Sequence, residues 1–301
     1  MRVFVTGATG YIGSAIVREL LAAGHQVLGL ARSDASATAL TTAGAAVHRG
    51  SLDDFDSLRS GATAADGVIH TAFNNISENT DFAAACQADL RAVEAIGTAL
   101  AGSGKPFVIT SGTLMLAQLG RLATEEDTPD PAVPRIASEI AALALAERGV
   151  RSSVVRLAPS VHGEGDKAGF IPILIGIARA KGVSAFVGAG SNRWPAVHRH
   201  DAARLFRLAA ESAPAGSRLH GVGEEGIPFR EIAEAIGHQL KLPVVSVAAG
   251  DAGAHFGFLS AFVAFDNPTS SALTRQRLGW LPQGPGLIAD IEQGHYFNHE
   301  R

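Results

Sequence analysis

Thr6-Gly7-Ala8-Thr9-Gly10-Tyr11-Ile12-Gly13 follows a short β-branched run, Arg2 to Thr6, and leads into helix-forming residues that reach Ala23. A strand, a glycine-spaced turn and a helix in that order form the opening of a βαβ unit. The spacing is G-x-x-G-x-x-G. Gly7 permits the sharp turn, Gly10 lets a diphosphate approach the backbone, and Gly13 lets the helix pack on the strand. Free N–H groups at the helix start, around Thr9 to Ile12, then face the phosphates. Gly24 closes the helix as a C-terminal glycine does.

Outward from that unit, apolar runs recur at Gln26–Ala31, Ala45–His48, Gly67–Phe73, Pro106–Ser111 and Ser152–Leu157. Helical stretches separate several of them, most clearly Phe82–Ala101 and Ile136–Arg148. Strands that are apolar throughout and alternate with helices predict a parallel sheet covered on both faces. The expected fold is α/β: a doubly wound parallel Rossmann sheet with a smaller C-terminal α/β substrate lobe. Residues 1–160 form the nucleotide-binding domain. Beyond Pro159 the helices shorten (Ile173–Ala180, Arg199–Glu211, Phe229–Leu240) and glycines become denser. Residues 161–301 form the lobe, with some segments returning to the main sheet.

The end of the second strand selects the cofactor. An acidic residue there accepts from a ribose 2′-hydroxyl, whereas an arginine accommodates a 2′-phosphate. This chain reads Arg32-Ser33, which points to NADP(H). Asp34 is the alternative ribose contact, one register step on.

Composition narrows the class. Of 301 residues, 47% are apolar and 18% charged, so the chain has a sizeable core and is not disordered. A net charge of −4 argues against nucleic acid or an acidic membrane as partner. The single cysteine, Cys86, forms no internal disulfide and is compatible with a reducing compartment. No apolar stretch approaches the roughly 20 residues of a bilayer span. The expectation is a soluble cytoplasmic protein acting on a small molecule.

TGATGYIG at Thr6, GSLDD at Gly50, VIHTAF at Val68, FVITSGT at Phe107, VVRLAPSVHGEGD at Val154 and AVHRHDAA at Ala196 run in order along the chain. Together they resemble the extended short-chain dehydrogenase/reductases, which include nucleotide-sugar epimerases and 3β-hydroxysteroid dehydrogenase-like enzymes. The resemblance places Ser51 and Leu52 beside the adenine and Thr71, Ala72 and Phe73 on the ribose–nicotinamide side. It places Pro159 to Val161 near the nicotinamide. It also implies a homodimer through the helices Phe82–Ala101 and Ile136–Arg148.

One family feature is missing. The resemblance calls for Tyr-x-x-x-Lys on the helix after the fifth strand, and no such pair exists in this chain. Arg135 takes the tyrosine position and Glu139 the lysine position. At i, i+4 the two can pair. Arg135 cannot act as a general acid near neutral pH but can hold an oxyanion or a carboxylate. Glu139 is a candidate base or a partner that orients Arg135. Ser111 or Thr113 is expected to reach the substrate carbonyl. His162 is the candidate replacement proton donor. Asn74, Asn75, Phe170 and Trp194 are expected to line the substrate side. His198-x-His200-Asp201 lacks a remote further ligand, so no metal site is expected, and Asp201 is expected to cap a helix. The expected activity is NADP(H)-dependent reduction of a carbonyl or related C=X group. The alternatives are an idle cofactor-binding redox sensor, or an epimerase or dehydratase with tightly held cofactor.

Overall fold

The computed structural model describes residues 1–73 and 81–298. The strands are β1 (Arg2–Thr6), β2 (Gln26–Ala31), β3 (Ala46–Arg49), β4 (Gly67–His70), β5 (Pro106–Gly112), β6 (Arg151–Leu157), β7 (Ser160–His162), β8 (Ser184–Val187), β9 (Arg193–His198), β10 (Ser217–Gly221), β11 (Glu224–Pro228) and β12 (Val244–Val247). The helices are α1 (Tyr11–Ala22), α2 (Asp34–Thr42), α3 (Phe55–Thr63), α4 (Phe82–Leu100), α5 (Ile136–Ala144), α6 (Phe170–Lys181), α7 (Arg199–Ser212), α8 (Phe229–Leu240), α9 (Ala252–Phe256), α10 (Ser260–Val263), α11 (Ala272–Leu278) and α12 (Leu287–Glu292).

Seven parallel strands form the main sheet in the order β10-β6-β5-β4-β1-β2-β3. The alternation within β1 shows why both faces are covered. Val3 and Val5 join Ile16 and Leu20 of α1 and Phe206 of α7 in one core. Phe4, between them, joins Leu58 of α3 and Val93 and Ile96 of α4 in the other. The order in which the chain adds strands reverses between β1 and β4, which stay parallel, and the crevice above their carboxyl ends is where doubly wound sheets bind ligands.

The lobe has its own apolar core, built on Trp194, Phe229, Ile232 and Leu259. It carries a three-stranded sheet, β11-β9-β7, and a pair, β12-β8. Two segments beyond residue 160 join the main sheet and its helices: β10 pairs with β6, and α7 packs along α1.

Several boundaries differ from expectation for local reasons. β4 stops at His70 rather than Phe73, because Thr71 N–H (3.3 Å) and Thr71 Oγ1 (2.8 Å) both turn back to Thr6 O. The helix expected to Arg148 tightens to a 3₁₀ turn after Ala144. α6 begins at Phe170, before the expected Ile173. Pro172 falls in its first turn, where a missing N–H costs no helical bond. Among the described residues no helix is long and apolar enough to cross a membrane.

Candidate active site

The glycine turn builds a cradle that no side chain fills. Gly7 lies at φ +69°, and a Cβ there would meet Ala72 N at 2.7 Å. A Cβ on Gly13 would lie 2.0 Å from Gly7 O, so α1 can touch the turn only through glycine. Gly10 is the N-cap of α1 and gives it no side-chain cap. The first-turn N–H groups are therefore left to a ligand at the positive end of the helix dipole. Thr9 and Gly10 are exposed; Tyr11 and Ile12 are half-buried. This cradle fits the pyrophosphate of the dinucleotide that the sequence implies.

At the end of β2, Arg32 is exposed and has no hydrogen bond or ion pair among the described residues. Ser33 caps α2, its Oγ accepting from Ser36 N–H at 3.2 Å. Asp34 is engaged elsewhere: Arg49 from β3 grips its carboxylate at 2.6 Å. Ser51 and Leu52 follow β3, and Leu52 leans on the core beside Leu28 and Leu58.

The carboxyl ends of β5 and β6 carry the departures from the family pattern. The expected Arg135–Glu139 pair does not form. Glu139 is buried instead against Arg156 of β6, at 1% and 0% side-chain exposure. Arg156 Nη2 donates to Glu139 Oε1, and Nε donates to Oε2 at 3.1 Å. Arg218 of β10 stands 3.4 Å from the same carboxylate. Ser111 Oγ donates to Glu139 Oε2 at 3.1 Å. Thr113 Oγ1 donates to Asn267 Oδ1 at 3.2 Å, and Asn267 Nδ2 donates back to Thr113 O at 3.0 Å. A hydroxyl has one proton to give. Ser111 and Thr113 commit theirs inside the protein, so neither is placed to donate to a substrate carbonyl as expected. Glu139 is a buried structural anion here, not a base open to the cleft.

Arg135, just before α5, turns the other way. Its guanidinium carbon lies 3.6 Å from the centroid of the Phe73 ring, at the exit of β4. Nη2 donates to Thr110 O at 3.0 Å, and Nη1 is buried without a hydrogen-bond partner among the described residues. Burial lowers its pKa, and Asp89 and Cys86 oppose that shift through space. Behind it, a buried chain missed in the sequence runs from Thr6 Oγ1 to His70 Nδ1 (2.7 Å) and from His70 Nε2 to Asp89 Oδ1 (3.2 Å). Nothing in the residue spacing links β4 to α4 in this way.

In the lobe, His162 is enclosed, and its Nδ1 meets Asp290 Oδ2 at 2.9 Å. His295 meets the other carboxylate oxygen at 3.0 Å. Burial works against the Asp290 carboxylate, but these two histidines outweigh it and hold its pKa below the usual value. His162 is thus tied to α12 rather than open as a proton donor. Pro159 and Val161, flanking β7's start, are half-buried.

The two tyrosines are also engaged. Tyr11 OH donates to Gly163 O at 3.0 Å, and Gly163 N–H donates to Tyr296 OH at 3.0 Å. Burial raises both phenols above their usual range. Trp194 is fully buried, and Phe170 packs on it and stacks on Phe262, so both belong to the lobe core rather than to a substrate wall. Asn74 and Asn75 lie outside the described residues. His198 and His200 meet edge to face at 5.0 Å. Asp201 does not cap α7; its carboxylate accepts from the N–H groups of Gln283 and Gly284.

This chain is similar to an uncharacterised protein of Schizosaccharomyces pombe, 52% identical over 298 residues, covering 99% of this chain and all of that protein. A second uncharacterised protein, from Saccharomyces cerevisiae, is 47% identical over 302 residues, with 99% and 100% covered. A sterol-4-alpha-carboxylate 3-dehydrogenase, decarboxylating, from Dictyostelium discoideum is 26% identical over 245 residues, covering 76% of this chain and 73% of that enzyme. The fold matches the dTDP-glucose 4,6-dehydratase DesIV of Streptomyces venezuelae, solved with NAD bound, at TM-score 0.80 and 20% identity over all of this chain and 98% of that one. The sequence model of the NAD dependent epimerase/dehydratase family matches residues 3–220. That span includes the glycine cradle, the strand ends and the altered Arg135–Glu139 positions, and the chain belongs to this family.

Proposed function

We propose that this oxidoreductase uses NADP(H) to reduce a carbonyl group of a small organic molecule, with Arg135 in place of the family's tyrosine. The observation that carries the reading is the state of Arg135. Its Nη1 is buried and, among the described residues, unpartnered, while Nη2 and the Phe73 ring fix the guanidinium in place. A fixed donor of that kind stabilises an oxyanion without reorganising. Ser111 and Thr113 have no proton free for that task. The bound nicotinamide would supply the hydride.

Arg135 holds the carbonyl oxygen as it gains charge, and it stays protonated throughout. Ser111 Oγ meets a substrate only as an acceptor, so it orients a neighbouring hydroxyl or amine. Water provides the proton that completes the alcohol. The NADP(H) preference rests on Arg32, unpaired among the described residues at the β2 end, and on Asp34, which pairs with Arg49. The relatedness to a dehydrogenase acting at a sterol 3-position favours chemistry at a C–O carbon over an idle cofactor-binding role.

The test is NADPH oxidation across ketones and aldehydes with wild type and Arg135→Met. Removing one oxyanion donor lowers kcat by roughly 100-fold or more. Cofactor binding is expected to stay unchanged. A variant that keeps wild-type kcat would remove Arg135 from the reaction.

A further inference from the structure

Arg199 opens α7 and is only 8% exposed. Its guanidinium reaches across to the first turn of α1. Nη2 donates to Tyr11 O at 2.8 Å and to Ser14 Oγ at 3.2 Å. Nη1 donates to Glu164 O at 2.7 Å, in the loop that leaves β7. The guanidinium carbon lies 4.3 Å from the Tyr11 ring centroid, and Nε has no hydrogen-bond partner among the described residues.

Every acceptor of Arg199 is neutral. No carboxylate pairs with it among the described residues. The nearby Asp166 carboxylate accepts instead from Gly169 N–H at 2.8 Å and Ala168 N–H at 3.3 Å. An arginine keeps its proton, and burying an unpaired charge is unfavourable. Neutral donors would serve three neutral acceptors without that cost, so the charge itself needs a reason. It stands against a helix turn whose own N–H groups are positive and whose N-cap gives no side chain. Two positive features lie side by side, and among the described residues the nearby Asp166 carboxylate hydrogen-bonds to loop N–H groups rather than to either of them.

We propose that Arg199 is a positioning residue for the dinucleotide pyrophosphate. Acting through the Tyr11 peptide rather than by contact, its charge strengthens the pull of the first turn of α1 on a dianion. Its bonds to Tyr11 O and Glu164 O, with that of Tyr11 OH to Gly163 O, also tie the lobe loop to the cofactor turn. The inference rests on the dinucleotide part of the functional reading, and not on the NADP(H) preference or on carbonyl reduction.

The experiment compares wild type, Arg199→Gln and Arg199→Lys, with Arg135 intact in all three. NADPH and NADH are titrated by nicotinamide fluorescence at low and high salt, and inorganic pyrophosphate is used as competitor. The expected result is that Arg199→Gln weakens both cofactors and pyrophosphate alike, by about tenfold or more at low salt. Its salt dependence is flatter than wild type, because one fewer charge is screened. Arg199→Lys keeps the charge without the bidentate geometry and retains most of the affinity. Equal losses in both variants would mean a purely structural role and overturn the proposal, as would wild-type affinity in Arg199→Gln. Wild type binding none of the three probes would overturn the dinucleotide reading, and this proposal with it.

Discussion

Glu139 holds the position where the family pattern has a lysine, and the structure turns it into the anion of a buried pair with Arg156. Two charges taken out of water need each other: losing one partner leaves the other buried and uncompensated. Glu139→Gln is therefore expected to cost about 3–5 kcal/mol in urea unfolding, while Glu139→Met with Arg156→Met together recovers most of that loss. A single variant as stable as wild type would contradict this account. The pair also explains a limit of sequence reading. An i, i+4 spacing offers Glu139 a partner at Arg135, but the partner it takes comes from the neighbouring strand β6, and Arg218 of β10 joins from still further along the chain. Thr113 likewise meets Asn267, 154 residues away. The glycines were legible because their roles are set by backbone geometry within eight residues. The hydroxyl and carboxylate roles were not, because each depends on which distant strand lies alongside.

At the scale of elements, the β1–α1 turn is the most constrained joint in the molecule. Gly13 lies in α1, where alanine is ordinarily the better helix former. Here a methyl group would lie 2.0 Å from Gly7 O, which is backbone and cannot swing aside. Gly13→Ala is expected to push α1 off the turn and abolish cofactor binding, while far-ultraviolet circular dichroism shows the helices retained. Tight cofactor binding by that variant would show that the first turn of α1 is not the pyrophosphate site. The core strands of the nucleotide domain matched expectation closely because apolar runs bounded by glycines and helices signal buried parallel strands. All six strands from β7 to β12 were missed: β7, β8 and β12 have three or four residues each, and in β9, β10 and β11 charged residues, histidine, glycine or proline interrupt the apolar run.

Over the whole molecule, the lobe is not a separable appendage. β10 supplies the outer neighbour of β6, and α7 covers α1, although both come after residue 160. A fragment of residues 1–160 would leave β6 as an open edge and expose the apolar side of α1 around Ile16 and Leu20. It is expected to show no cooperative urea transition; a sharp one would mean that the first 160 residues fold alone. The glycine cradle, Arg32 and Arg135 lie along the carboxyl ends of the main-sheet strands, and the functional reading stands or falls on what that end of the sheet binds. The most direct test is a parallel titration of the purified protein with NADPH and NADH, for wild type and Arg32→Ala. The expected result is that wild type binds NADPH at least about tenfold more tightly, as a charge-assisted bidentate contact to a 2′-phosphate requires, and that Arg32→Ala removes the preference. Equal or tighter binding of NADH by wild type would contradict it and move the ribose contact to Asp34.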